Sequence, residues 1–179
     1  RPVLTIVKKS RYHQFDTYWS FEDSAQGWLR YREDEFLDDK DNVTGARARL
    51  TLTGATREDQ FGSVVLSRSR YLAPALHSAR LYREYFRPAV EHVVEKTRDR
   101  WLIAYRGVEF YVHLDQLIKP KRDGCFLEVK SRTWSRRDAQ DKAAIINELV
   151  SFLGATSDAG IAGGYVDLFI SRVIEVVLL

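Results

Sequence analysis

The chain has 179 residues, 45% of them hydrophobic and 12% aromatic, a composition that predicts one globular domain and excludes a disordered chain. Lys and Arg total 28 against 25 Asp and Glu, so the net charge of +3 creates no strong field and we expect no nucleic-acid partner. The single cysteine, Cys125, excludes a disulfide framework and a multi-cysteine metal site. Without a membrane-spanning apolar run or a signal peptide, the protein is expected to be cytoplasmic, with no membrane partner.

Most of the chain alternates apolar and polar residues with period two, which is the pattern of β-strands. In chain order the strand candidates are 5–19, 26–33, 46–53, 63–69, 78–86, 90–105, 108–115 and 124–132. Polar or Gly/Pro clusters separate them, and several connections are short enough for hairpins, so we expect an antiparallel sheet. A capping serine and apolar residues at helical spacing predict a helix over 135–153, and a second, shorter helix is expected over 165–179.

Basic residues two positions apart recur in the predicted strands. They are Arg30 and Arg32, Arg47 and Arg49, Arg68 and Arg70, and the triplet Lys96, Arg98 and Arg100. Alternate residues of a strand project to one side, about 7 Å apart, a spacing that suits an extended polyanion. Periodicity alone favours a simpler interpretation, in which these residues form the wet face of a sheet.

The number of like charges argues for a tunnel wall instead. Burying one unpaired charge costs several kcal/mol, so about ten such residues must line water, counter-ions or a ligand. A sheet closed into a barrel, with polar inner walls and helices outside, satisfies these requirements. Its lumen is predicted to bind anions.

Seven short strings follow one another along the chain: QFDTYW (14–19), LRYRE (29–33), LTLT (50–53), VEKTR (94–98), VHLDQL (112–117), GCFLEVK (124–130) and GYVDLF (164–169). In this order they resemble the CYTH family, whose members are also called triphosphate tunnel metalloenzymes. The resemblance implies an α+β fold: an eight-stranded antiparallel β-barrel with flanking C-terminal helices, formed by residues 1–179 as a single domain. It also implies a triphosphatase, which binds inorganic triphosphate or a nucleoside triphosphate in the tunnel and hydrolyses it with Mg²⁺ or Mn²⁺. The ligand partners that it implies are a triphosphate, a polyphosphate or a nucleotide.

The resemblance assigns roles to particular residues. The residues implied to bind the phosphates are Arg30, Arg32, Lys96, Arg98 and Lys130. Glu128 and Asp115 are implied as metal ligands, and Glu128 and Lys96 as catalytic residues. Since a divalent ion needs more than two carboxylates, a further ligand is expected from Glu33, Glu35, Glu84 or Glu109, or from an N-terminal strand that the sequence lacks.

Three departures from the family pattern keep other functions open. The family's N-terminal Glu-x-Glu-x-Lys strand has no match before Gln14, Thr53 replaces a lysine, and Lys130 replaces the second glutamate of a pair. We therefore expect a domain that lacks its N-terminal strand or is cut from a longer protein, with a fused or neighbouring domain as partner. The alternatives are a non-catalytic polyphosphate- or nucleotide-binding regulatory module and an adenylate cyclase of the class IV type.

Single residues also have simpler roles. Asp115 is as readily a turn cap as a ligand, and Glu128 with Lys130 can form a plain salt bridge. The four histidines show no ligand spacing and are expected to be structural, and Cys125 lacks a base that would make it a nucleophile.

Overall fold

The computed structural model describes residues 3–54, 59–61, 64–66, 70–155 and residue 165. Its nine strands are β1 (Leu4–Ser20), β2 (Trp28–Leu37), β3 (Val43–Thr53), β4 (Asp59–Phe61), β5 (Val64–Leu66), β6 (Arg70–Pro74), β7 (Val90–Tyr105), β8 (Val108–Lys119) and β9 (Phe126–Lys130). Two α-helices, α1 (Ala79–Phe86) and α2 (Arg136–Phe152), and a short 3₁₀ turn at Ser24–Gln26 complete these elements.

Seven strands form one sheet in the order β6-β3-β2-β1-β7-β8-β9, and every neighbouring pair is antiparallel. The α+β class and the antiparallel sheet expected from the sequence are thereby confirmed. Closure into an eight-stranded barrel is not shown, because within the described ranges β6 and β9 lie at the two edges of this sheet. The remaining strands, β4 and β5, form a separate hairpin.

Alternation along the strands divides the sheet into two faces. We call the side that carries Asp16, Arg32, Lys96, Arg98 and Glu128 the charged face. The opposite side, which carries Ile103, Phe110, Val112 and Val129, is called the apolar face. The long central strand β1 pairs with both β2 and β7, so it joins the two halves of each face.

Helix α2 covers part of the apolar face. Its Ile146, Leu149 and Val150 pack against Phe110 and Val129 in one hydrophobic cluster. The helix begins as predicted, since the Ser135 side chain accepts a hydrogen bond from the Asp138 backbone N–H at 3.1 Å. The predicted helix over 135–153 is confirmed, and the second one, over 165–179, lies almost wholly outside the described residues.

The predicted strand over 78–86 is wrong, because Ala79–Phe86 forms helix α1. Arg83 and Glu84 are consecutive polar residues, which do not fit the alternation of a strand. One side of the helix packs through Tyr82 against the cluster of Trp19 and Tyr31. Arg87, in the left-handed region with φ of 46°, ends the helix. The sequence does not predict β4 or β6, because both lie between the predicted strands, where polar or Gly/Pro clusters indicate connections.

No helix in the described part of the chain is long and apolar enough to cross a membrane.

Candidate anion-binding site

Register between the strands assembles the charged face from distant parts of the chain. Asp16 of β1 lies opposite Arg32 of β2, and Arg32 lies opposite Arg49 of β3. On the other side of β1, Arg98 of β7 lies opposite Asp115 of β8. Side chains that face each other across antiparallel strands are about 5 Å apart at Cβ, so each pair can form an ion pair.

Asp16 is the centre of the first ion cluster. Both its oxygens accept hydrogen bonds from Arg32, at 2.5 Å from Nε and 2.6 Å from Nη2. Arg30 Nε lies 3.9 Å and Lys96 Nζ 3.4 Å from the same carboxylate. Burial raises the pKa of Asp16, but Arg32, Lys96 and Arg30 outweigh it and hold that pKa well below its ordinary value. Asp16 is therefore an anion in the folded protein.

Arg98 is the centre of the second cluster. It donates to both oxygens of Asp115, at 2.6 and 2.5 Å, and to Glu128 at 3.1 Å. Tyr165 donates its hydroxyl to Asp115 at 2.5 Å. Although burial raises the pKa of Asp115, Lys96 and Arg98 lower it to about 2. Asp115 is thus a buried anion and not a turn cap.

Lys96 joins the two clusters. Its ammonium lies 3.4 Å from Asp16 and 3.4 Å from Asp115, and 4.0 Å from the centroid of the Tyr165 ring. The side chain has no solvent exposure, and among the described residues its Nζ has no hydrogen-bond partner. Burial lowers the pKa of Lys96 to about 7, because the nearby carboxylates offset only part of the desolvation penalty. Lys96 consequently titrates near neutral pH.

Asp34 organises a third group at the β3 side of the charged face. The carboxylate accepts hydrogen bonds from Gln14 at 2.6 Å, Arg47 at 2.8 Å and Arg49 at 2.7 Å. Asp34 has no exposed surface, while both arginine side chains are partly exposed. The arginines therefore keep part of their surface available to a ligand.

Glu128 lies at the β9 edge of the charged face. It accepts from His113 Nδ1 at 2.6 Å and pairs with Lys130 at 2.5 Å, which confirms the simple salt bridge considered from the sequence. Burial lowers the pKa of His113 to about 4, so its ring is neutral at pH 7 and Nδ1 carries the donated proton. Lys130 and Arg98 hold the pKa of Glu128 well below its ordinary value, against the opposing effect of burial.

The carboxylates implied as metal ligands do not fit a divalent cation as they are arranged. Mg²⁺ and similar hard ions need oxygen ligands that are not already taken by cations. Asp115 is held by Arg98 and Tyr165, and Glu128 by Arg98, His113 and Lys130. Within the part of the chain that the structure describes, no three His, Cys, Asp or Glu side chains are grouped to hold a metal. A site for Mg²⁺ or Mn²⁺ stays a prediction.

All the predicted site residues lie on the charged face. They are Arg30, Arg32, Lys96, Arg98, Asp115, Glu128 and Lys130, contributed by β2, β7, β8 and β9. The further glutamates do not join the ion clusters: Glu33 and Glu84 are exposed, Glu35 binds His13, and Glu109, although on the same side of β8 as Asp115, is also exposed. Of the other basic positions, Arg68 and the side chain of Arg70 lie outside the description.

Sequence reasoning missed several residues that pair with the charged side chains and hold them in place. The missed residues are Gln14, Asp16, Asp34, His113 and Tyr165. A signal was present, since Gln14 and Asp16 alternate in QFDTYW and Asp34 continues the two-residue step from Arg30 and Arg32. Pairing across strands, which decides the partner of each charge, is not visible in one strand's sequence.

No protein-family model matches the chain, and neither a curated protein nor a solved structure matches it.

Proposed function

We propose that the charged face binds a linear triphosphate group, as inorganic triphosphate, as polyphosphate or as part of a nucleotide. The observation that carries this proposal is Lys96, a wholly buried cation without a hydrogen-bond partner among the described residues. A buried ammonium that makes no hydrogen bond is costly even with the Asp16 and Asp115 carboxylates 3.4 Å away, and a phosphate oxygen within hydrogen-bond distance of Nζ would lower that cost.

The surroundings of Lys96 support an anion of more than one charge. The buried Nε atoms of Arg30 and Arg49 also have no hydrogen-bond partner among the described residues. Cations on the charged face outnumber carboxylates: Arg30, Arg32, Arg47, Arg49, Lys96, Arg98 and Lys130 stand against Asp16, Asp34, Asp115 and Glu128. Arginines suit phosphate because their planar donors bind two oxygens at once.

The proposal includes the closed eight-stranded barrel of the resemblance. Charged side chains on an open sheet face keep contact with water, whereas Asp16, Lys96 and Asp115 have no exposed surface. A sheet that surrounds the charged face accounts for this burial and gives a polyphosphate contacts on several sides.

Hydrolysis of the bound anion is a separate part of the proposal. The resemblance implies it, but the paired state of Asp115 and Glu128 supports binding alone. Phosphate release from tripolyphosphate and ATP, with Mg²⁺ or Mn²⁺ added, therefore distinguishes a triphosphatase from a non-catalytic binding module. Turnover that disappears in Glu128→Gln would support the enzyme, and binding without turnover would support the module.

Isothermal titration with tripolyphosphate in the absence of metal tests the binding proposal. We expect a micromolar dissociation constant, equivalent to about −8 kcal/mol, that weakens as salt is added. Arg30→Gln and Lys96→Met should each weaken binding by about tenfold or more, which corresponds to the free energy of one hydrogen bond to a charged group.

Arg137→Gln is the matched control, because it removes the same charge from an exposed position on α2. Its affinity should stay within about twofold of the parent, as expected for a screened surface charge. Absence of binding to the parent protein, or equal losses in all three variants, contradicts the proposal.

A further inference from the structure

A small cavity lies at one end of the charged face. Its volume is about 150 Å³, comparable to a protein cavity that accepts one benzene molecule. Six residues of β1, β7 and β8 line it: Lys8, Ser10, Tyr12, Arg100, Leu102 and Tyr111. The space suits one phosphate-sized or single-ring group.

The cavity continues the row of cations on β7. Lys96, Arg98 and Arg100 are alternate residues of one strand, so each step along the charged face is about 7 Å. Tyr12 lies opposite Arg98, and Arg100 lies opposite His113, which places the cavity next to the second ion cluster. A phosphate chain that binds Lys96 and Arg98 reaches Arg100 only if it is longer by about 7 Å, the distance between alternate residues of the strand.

The lining is rich in hydrogen-bond donors. It offers the cations Lys8 and Arg100 and the hydroxyls of Ser10, Tyr12 and Tyr111, and among the described residues no carboxylate lines it. Such a lining favours an anionic group, because two cations and three hydroxyls can all donate hydrogen bonds to its oxygens.

Arg100 is held in place without a carboxylate on the cavity wall. It donates to the Tyr12 hydroxyl at 3.3 Å, and its guanidinium lies 4.3 Å from the centroid of the Tyr111 ring. Arg32 and Arg98, in contrast, each hold a carboxylate by two hydrogen bonds. Arg100 is thus preorganised, and its charge is less compensated than theirs.

We propose that this cavity binds an additional phosphoryl group of the same ligand, so that the protein prefers linear polyphosphates longer than triphosphate. This inference rests on the proposed function, since it assumes a phosphate chain on the charged face. It makes Arg100 and Lys8 determinants of chain length, distinct from the residues that bind the central phosphates.

The test compares the affinities for tripolyphosphate and for a long-chain polyphosphate by isothermal titration. Arg100→Gln should reduce the preference for the long chain by about tenfold and leave tripolyphosphate binding within about twofold. Lys8→Gln should act in the same direction with a smaller effect, because the Lys8 side chain is exposed and its loss does not endanger folding. Thermal melting of each variant verifies that it is folded.

Arg30→Gln separates this inference from the proposed function. It should weaken the binding of both ligands equally and leave the preference unchanged. If Arg30→Gln weakens tripolyphosphate but neither Arg100→Gln nor Lys8→Gln changes the preference, the cavity proposal is overturned and the proposed function stands. If the parent binds neither ligand, both fail. A larger loss for ATP than for long-chain polyphosphate in Arg100→Gln would assign the cavity to a base and would also overturn the inference.

Discussion

Both faces of the sheet contain fully buried residues, but the two faces are chemically opposite. Lys96 on the charged face and Phe110 on the apolar face both have no exposed surface. On the apolar face, α2 supplies Leu149 and its neighbours as a cover, and burial there is favourable because it removes apolar area from water. On the charged face, burial opposes stability, and ion pairs such as that of Asp16 and Arg32 offset its cost.

The proposed function accounts for this difference between the two faces. An apolar core on both sides would be at least as stable, because replacing buried ion pairs by packed apolar residues is often neutral or favourable. A protein that retains Asp16, Asp34, Lys96 and Asp115 inside gains little stability from them. In the proposed function, they position the arginines and hold Lys96 where an anion binds.

Asp16→Asn should give the largest effect on stability, because it breaks the central ion pair of the charged face. The substitution leaves Arg32 without its carboxylate and Lys96 with Asp115 alone, and we expect the free energy of unfolding to fall by about 3 to 5 kcal/mol. Urea denaturation measures this change. A loss below about 1 kcal/mol would mean that the face is solvated like an ordinary surface.

Leu149→Ala tests the apolar face in the same assay. Leu149 has no exposed surface, and its truncation should cost about 2 to 5 kcal/mol through lost burial and a residual cavity. Tripolyphosphate affinity of the folded protein should not change. Leu153→Ala, at the exposed end of α2, is the control and should stay within about 0.5 kcal/mol. Weaker ligand binding in Leu149→Ala would show that the two faces are coupled.

Lys96→Met should change the pH dependence of stability. The pKa of Lys96 is about 7 in the folded protein, against about 10.4 when unfolded. Between these values the unfolded chain binds more protons, so the contribution of Lys96 makes the free energy of unfolding rise with pH. We expect the parent to gain stability relative to Lys96→Met from about pH 7 to about pH 10, and the difference to be flat below. Urea titrations at several pH values measure it, and a pH-independent difference would exclude a perturbed lysine.

Ser135→Ala should have the smallest effect, because it removes one capping hydrogen bond at the start of α2. The expected cost is about 1 kcal/mol, and Ser135→Asp should restore most of it. Thermal melting detects the loss. An effect as large as that of Leu149→Ala would show that the cap also holds the β9 to α2 connection.

The sequence predicts on which face of the sheet a residue lies better than it predicts whether that face is buried. Alternation around Arg30, Arg98 and Glu128 correctly placed these residues on one side of the sheet, because a strand's side chains alternate by geometry alone. The same alternation does not reveal whether a face is wet or buried. It also failed at Ala79–Phe86, where a short helix was mistaken for a strand since eight residues are too few to separate the two periods.

The partners of the charges could not be predicted, because they depend on register between strands that are distant in sequence. Asp16 and Arg32 are brought together by the β1 to β2 pairing, and Arg98 and Asp115 by the β7 to β8 pairing. Single-strand patterns contain the charges but not these pairings. The two carboxylates implied as metal ligands illustrate the difficulty, since their cationic partners become evident only in the folded chain.

A crystal structure of the protein with tripolyphosphate tests the central claim most directly. The account predicts phosphate oxygens about 2.7 to 3.2 Å from Lys96 Nζ, with further contacts to Arg30 and Arg98. Polyphosphate bound only to exposed arginines such as Arg136 or Arg137, with Lys96 still surrounded by Asp16 and Asp115 alone, would contradict it.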